Sequence, residues 1–185
     1  LFSKQSGFFV ISNRALTIIG CSLLALLLIR QEIRLDMVEE RLDDIILVRE
    51  AINYTKNDVE CLTRNIYYEA GVEDERGKYA VGHVTVNRLK TGRWGNTICQ
   101  VVYAPKQFSW TLSKQLGRPD QALWAKSEII ARRVLDGSRV RGLTKSLYYH
   151  AVYIKDPNWV DPQAELGQIG NHVFYSRAKG SNLTI

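Results

Sequence analysis

Glu69 and Glu73 stand four residues apart in the segment Tyr67-Tyr68-Glu69-Ala70-Gly71-Val72-Glu73-Asp74-Glu75. Residues at that spacing share one face of a continuous helix, and paired carboxyls are the usual apparatus for cutting a glycosidic bond. Glu69 shares its face with Ile66 and, one turn back, Leu62. A carboxyl in such surroundings is partly desolvated, which raises its pKa and suits it to act as a general acid near neutral pH. Gly71 stands where it could end the helix before Glu73, and the competing reading of Glu73, Asp74 and Glu75 is an acid-rich start to the next helix.

A second group with chemical potential is Gln107-Phe108-Ser109-Trp110. Two rings interleaved with an amide and a hydroxyl could form one wall of a sugar groove, the rings stacking and the polar groups orienting. The plainer alternative puts Phe108 and Trp110 in the core. Tyr148, Tyr149 and His150, then Trp159, then Asn171 and His172 with Phe174 and Tyr175, offer more of the same chemistry. Metal catalysis finds little purchase. The histidines are His83, His150 and His172, without a His-Glu-x-x-His pattern. A zinc site from His150, His172 and Glu69 has no spacing signature, so neither a metal nor a cofactor is expected. Cys61 and Cys99 would pair in an exported domain, or remain buried thiols in a reducing compartment. There is no Walker loop and no dinucleotide-binding glycine pattern. Arg132, Arg133, Arg139 and Arg141 make too small a cluster for a nucleic-acid fold.

The elements that must position these residues follow from local signals. Thr55 and Asp58 have capping-box spacing, with Asp in place of the usual Glu or Gln, and start a helix over Val59, Leu62, Ile66 and Ala70 that ends near Gly71. A second helix spans 75–89, with Ala80, Val84 and Asn87 on one face and Gly77 and Gly82 allowing another backbone to come close. Residues 91–96 form a turn, and 97–103 a short helix stopped by Pro105. Pro119 marks the start of a helix that carries Leu123, Trp124, Ile130, Ala131, Val134 and Leu135 and ends at Gly137. Residues 147–152 and 172–175 are aromatic and strand-like, separated by a loop holding Pro157, Trp159, Pro162, Gly167 and Gly170. The outcome is an α+β class, mostly helical with a small sheet.

Charge divides the chain of 185 residues unevenly. Its 25 Lys and Arg against 19 Asp and Glu give +6. Residues 15–29 carry no charge, and residues 30–50 carry four Arg against seven acids, for −3. Residues 51–185 therefore hold nineteen bases and twelve acids, for +7. The basic character belongs to the C-terminal part, which favours an anionic partner. The 15-residue apolar run is shorter than the roughly 20 residues of a spanning helix, and reads as a short membrane anchor or uncleaved signal, a cleaved signal, or a core segment. Residues 30–53 read as a charged helical stalk or short coiled coil through Leu35, Val38, Leu42, Ile45 and Ile52, or as a helix laid on a domain surface. Three parts are expected: an N-terminal segment at 1–29, a stalk at 30–53, and a domain at 54–185.

Taken together and in order, the motifs resemble the SleB/CwlJ cell wall hydrolase family, known from spore-cortex lytic enzymes and also from bacteriophage and other bacterial proteins. Glu69-Ala70 and Glu73 match its opening motif, followed by Gly77, Ala80-Val81 and Asn87-Arg88. Ile98 to Tyr103, Pro105 and Gln107-Phe108-Ser109-Trp110 follow its middle pattern. Tyr148-Tyr149-His150, Pro157-x-Trp159 and Ile169 to Tyr175 follow its closing ones. The departure is Gly71-Val72, where the family has Arg-Gly. The likeness spans about residues 58–177.

The resemblance implies a lysozyme-like, lytic-transglycosylase-like domain acting on peptidoglycan glycan strands between N-acetylmuramic acid and N-acetylglucosamine, with Glu69 as general acid and base; Glu73 is the second catalytic candidate, in a polarising or orienting role. Gln107, Phe108, Ser109, Trp110, Tyr148, His150, Trp159 and Asn171 are the candidates for substrate binding. His172 reads as structural, and Asn87 and Arg88 as ties between helices. The alternatives in activity are an amidase cutting the stem peptide and a wall-binding structural component of a virion or envelope complex. Expected partners are the glycan strands and the bacterial membrane through residues 15–29, with residues 30–53 serving a homodimer or virion assembly and no role for nucleic acid. The expected location is the wall side of the inner membrane, anchored or exported, or a virion, as in a phage lysin.

Overall fold

The computed structural model describes residues 22, 24–31, 34, 45–47 and 53–181. The chain divides into two compact units, Leu1–Asp43 and Asp44–Ile185. In the first, residues 24–31 are helical and exposed. No helix among the described residues is long and apolar enough to cross a membrane. The remainder of the expected anchor lies outside the described residues, as do most of residues 30–53.

The expected stalk is corrected at one place. Residues 45–47 form a strand, β1 (Ile45–Leu47), paired antiparallel with β2 (Ser138–Val140). Ile45-Ile46-Leu47 is an apolar run rich in β-branched residues, which suits a strand as well as a heptad seam. The division between the two units falls at Asp43/Asp44, ahead of β1.

The second unit is built on four helices: α1 (Lys56–Ala70), α2 (Glu75–Thr91), α3 (Ile98–Val102) and α4 (Gln121–Leu135). The capping box forms, Thr55 accepting from the Asp58 backbone N–H while Asp58 accepts from that of Thr55. Asp58 also accepts from the Ile98 backbone N–H at 3.1 Å, so one carboxylate caps α1 and holds the start of α3. A disulfide between Cys61 and Cys99 joins the same two helices. Asp120 caps α4, placing Pro119 just before the cap and not inside the first turn.

α2 is the central helix, with every residue from Gly77 to Arg88 buried. Gly82 is needed there: a Cβ would stand 3.1 Å from Val134 and 3.2 Å from Ile66, where α4 and α1 press in. The conformational cost of a mid-helix glycine, about 1 kcal/mol against alanine, is offset by this close packing. His83, also on α2, donates from Nε2 to the Ser138 carbonyl at 2.8 Å, while Nδ1 accepts from the Val140 N–H at 3.2 Å. Both ring nitrogens are occupied in the neutral form, and burial drives the pKa down to about 3. His83 therefore fastens β2 to α2 and takes no part in a site.

The second sheet has order β3-β5-β4, from β3 (Tyr148–Ala151), β4 (Glu165–Ile169) and β5 (His172–Tyr175), all neighbours antiparallel. β4 lies within the stretch expected to be a loop. It carries an irregularity between Glu165 and Gly167, whose positive φ of 126° breaks the alternation that marks a strand in sequence.

Candidate active site

α1 delivers Glu69 one residue before its end, with Leu62 and Ile66 of the same face locked in the core. The carboxyl is half-buried at the junction of two cavities. The larger, about 580 Å³, is lined by Glu69, Gln107, Phe108, Ser109, His150 and Trp159 among others. The smaller, about 420 Å³, holds Glu73 and Asn171. Tyr68, Glu69, Tyr153 and His172 line both, so a groove passes on either side of Glu69.

Tyr149 donates its phenol O–H to Glu69 Oε2 at 2.9 Å. Burial raises the Glu69 pKa, while the Tyr149 hydrogen bond and then the Arg88 charge pull the other way without cancelling it. Burial also pushes the Tyr149 phenol well above its ordinary value, so it remains a donor at any physiological pH.

Glu73 is differently placed. Its Oε1 accepts from Asn171 Nδ2 at 2.9 Å, and its Oε2 from the Asn171 backbone N–H at 3.3 Å. His172 Nδ1 lies 4.0 Å from Oε1, with no hydrogen-bond partner of its own. Lys78 Nζ donates to the Glu73 carbonyl. Gly170 is required beside it, because φ is +55° and a Cβ would collide with the Glu73 carboxylate. Glu73 thus clasps the turn between β4 and β5 and presents His172 to the groove. Burial lowers the His172 pKa, the nearby Glu73 charge opposing, and the ring meets Tyr149 edge-on at 5.1 Å.

The remaining expected site residues divide. Gln107, Ser109, His150 and Trp159 line the larger cavity. His150 is held in place by Tyr175, stacked at 5.6 Å with Nε2 3.1 Å from the phenol oxygen. Phe108 reaches the cavity but is only 2% exposed, so it serves as both wall and core. Trp110 lines neither cavity. Its Nε1 donates to Asn65 at 3.0 Å and its ring stacks under Tyr68 at 4.9 Å, which makes it the support of a groove residue. Tyr148 also lines neither, packing against Trp94 and Trp159. Asn87 and Arg88 bond the carbonyls of Ser146 and Leu147, tying α2 to the segment before β3.

Sequence reasoning missed Tyr68, Arg88 and Tyr153 as groove residues, and named Tyr149 and His172 for their chemistry without counting them among the substrate-binding candidates. Tyr153 is 79% exposed, a ring offered to whatever enters. The signal for Tyr149 was its place beside Tyr148 on a strand: adjacent residues face opposite ways, so only one of them could look toward Glu69. Among the described residues, no three His, Cys, Asp or Glu side chains are gathered so as to hold a metal ion.

A half-buried carboxyl at the centre of an aromatic groove, in a mostly helical domain with a small antiparallel sheet, defines a lysozyme-like α+β architecture. The chain belongs to the cell wall hydrolase family, whose model matches residues 72–175. The matched stretch includes Glu73 and the closing strands and begins three residues after Glu69. The chain is 29% identical over 125 residues to the spore cortex-lytic enzyme of Oceanobacillus iheyensis, covering 65% of this chain and 42% of that protein. To the spore cortex-lytic enzyme of Bacillus subtilis it is 26% identical over 124 residues, covering 65% and 38%. It spans about two fifths of the length of these relatives. Its fold is similar to the crystal structure of the catalytic domain of the Bacillus cereus SleB protein, with TM-score 0.57, 23% identity, and 69% of this chain and 98% of that one covered. It is also similar to the catalytic domain of the germination-specific lytic transglycosylase SleB from Bacillus anthracis, with TM-score 0.54, 22% identity, and 66% and 97% covered.

Proposed function

We propose that the chain cleaves the peptidoglycan glycan backbone between N-acetylmuramic acid and N-acetylglucosamine as a lytic transglycosylase, with Glu69 acting first as acid and then as base. The observation that carries this reading is the placement of Glu69: one desolvated carboxyl, hydrogen-bonded by a phenol, with groove on both sides. Protonated Glu69 gives its proton to the glycosidic oxygen as the C1–O bond breaks, and the leaving sugar departs as an alcohol. The muramic C6 hydroxyl then bonds to C1, closing a 1,6-anhydro ring, and its proton returns to Glu69. Glu69 ends as it began, and no second nucleophilic carboxylate is called upon. Glu73, occupied by Asn171, orients the β4–β5 turn and does not attack. The exposed Tyr153 ring and the Gln107 and Ser109 polar groups suit stacking and hydrogen bonding to sugars.

Two features support action outside the cytoplasm. The Cys61–Cys99 disulfide suits an oxidising compartment, and the +7 carried by residues 51–185 suits an anionic wall.

Mass spectrometry of soluble products from purified peptidoglycan, for the wild-type chain beside Glu69→Gln, tests the proposal. Anhydromuropeptides from wild type alone are expected. Reducing-end products would mean attack by water, free stem peptides would mean an amidase, and no product from several wall types would favour a binding role.

A further inference from the structure

Arg88 lies on α2 at 5% exposure and lines the larger cavity with Glu69. Its Nε donates to the Leu147 carbonyl at 2.8 Å, but Nη1 is buried with no hydrogen-bond partner. The guanidinium carbon lies 5.2 Å from the ring centres of Trp94 and Phe108 and 5.8 Å from that of Tyr148. Among the described residues no carboxylate forms an ion pair with it. A buried cation without a carboxylate partner is costly, and aromatic faces return only part of that cost. The bond to Leu147 uses one N–H and does not account for the buried charge or for the unpartnered Nη1.

We propose that Arg88 is a positioning residue that acts through Glu69: its ring-walled guanidinium, lacking a carboxylate of its own, stabilises the Glu69 carboxylate that forms once the proton has left for the glycosidic oxygen. This rests on the acid-then-base reading of Glu69. Mid-reaction, Glu69 has lost its proton and must wait as an anion in a desolvated groove until the C6 hydroxyl proton arrives. A fixed positive charge that cannot deprotonate shortens that disadvantage without competing for the proton. Arg88 is suited to this because it is not spent on another acid.

The other titratable groups facing Glu69 are distributed differently. Tyr67 and Tyr68 are on its own helix, Tyr149 and His150 come from β3, His172 from β5, and Lys106 and Tyr153 from the flanking loops, while Glu73 borders the second cavity. Tyr149 supplies a hydrogen bond and no charge. Burial holds His172 toward its neutral form. Lys106 is exposed to solvent, which screens it. Arg88 is the buried permanent charge in this set: burial pulls its own pKa down, the Tyr149, Tyr148 and Glu69 charges oppose that, and its charge in turn draws the Glu69 pKa down.

The test is an NMR titration of the Glu69 side-chain carboxyl carbon in the full chain, for wild type, Arg88→Gln and Arg88→Lys. Arg88→Gln keeps an N–H donor for Leu147 and removes the charge. Its Glu69 midpoint is expected to rise by about one pH unit or more, the size expected for loss of a nearby opposite charge. Arg88→Lys keeps the charge and should titrate with wild type. A midpoint unmoved in Arg88→Gln, or moved as far in Arg88→Lys, would overturn the proposal. Should Arg88→Gln not fold, Arg88→Met, which fills the ring-lined space with an uncharged side chain, decides in its place: an upward move supports the role of charge, and an unmoved midpoint refutes it. The alkaline limb of wall lysis should follow the same order, whereas a purely structural Arg88 would lower activity at every pH and leave the limb in place. The titration needs no turnover, so failure of the transglycosylase reading would show in the products and failure of this inference in the midpoints.

Discussion

Glu69 and Glu73 are the same residue type one helical turn apart in sequence, yet the fold treats them in opposite ways. Glu69 is inside α1, facing a groove, with a single phenol donor. Glu73 is beyond the end of the helix and gives both oxygens to Asn171. One carboxyl is left with unmet capacity in a place where a ligand can reach it. The other is fully engaged in holding a turn. The pairing suggested by four-residue spacing therefore does not survive the break between α1 and α2, and the two carboxyls differ in the number of donors around them. Hydrogen bonds to a carboxylate fix it in place, whereas desolvation with few donors keeps its proton available near neutral pH.

The largest expected effect breaks the comparison on the reactive side. Glu69→Gln should lower wall lysis by about 10²- to 10⁴-fold, the usual worth of a general acid–base group, while the glutamine oxygen still accepts from Tyr149 and the circular dichroism spectrum is unchanged. Retained lysis would remove Glu69 from the chemistry. On the structural side, Glu73→Ala leaves the Asn171 N–H groups without their acceptor and should cost about 1–3 kcal/mol of stability by chemical denaturation. Its lysis should fall far less than that of Glu69→Gln. Equal rate losses with little change in stability would make the two acids catalytic partners and end the contrast. A finer cut comes from Tyr149→Phe, which removes the single donor to Glu69. About a tenfold slower lysis is expected, the scale of one hydrogen bond to a charged group. The alkaline limb of the pH profile should move up, because the lost hydrogen bond had favoured the carboxylate. A limb moving down would show that Tyr149 stabilises the protonated form.

Much of this arrangement was legible before any coordinates. Caps and breakers located α1, α3 and α4 because the Thr55–Asp58 spacing, Pro105 after α3 and Pro119 ahead of α4 are signals that need only their immediate neighbours. The burial of Glu69 followed from Leu62 and Ile66 on its face. Less accessible was whatever depends on contacts across the chain. α2 is buried on all sides, so its sequence shows no clean amphipathic period to say which face meets the groove. That is why Arg88 read as a mere tie. β4 was hidden by Gly167 and the irregular register beside it, and Ile45-Ile46-Leu47 fitted a heptad as readily as a strand. Tyr148 and Tyr149 are identical neighbours, and only the pairing of β3 with β5 decides which of them meets Glu69. Trp110 lines neither cavity and stacks under Tyr68, and a ring beneath a groove residue and a ring within the groove have the same sequence signature.

The smallest effect is the one that separates the two acids without any substrate. In the folded state the Glu69 carboxyl sits above its ordinary value because of burial, so folding favours the protonated form. The stability this contributes is complete below the unfolded-state pKa, near 4.3, and is lost as pH rises through the folded value. Glutamine mimics the protonated acid at every pH and escapes that loss. The melting temperature of Glu69→Gln relative to wild type should therefore be more favourable at pH 8 than at pH 4. Glu73→Gln, made beside it, controls for the removal of one negative charge from the same part of the fold. If both substitutions gained equally on going from pH 4 to pH 8, general relief of negative charge would explain the effect, and the burial of Glu69 would no longer distinguish it. A gain confined to Glu69→Gln would tie the cost of the charged form to the same groove in which that charge is needed.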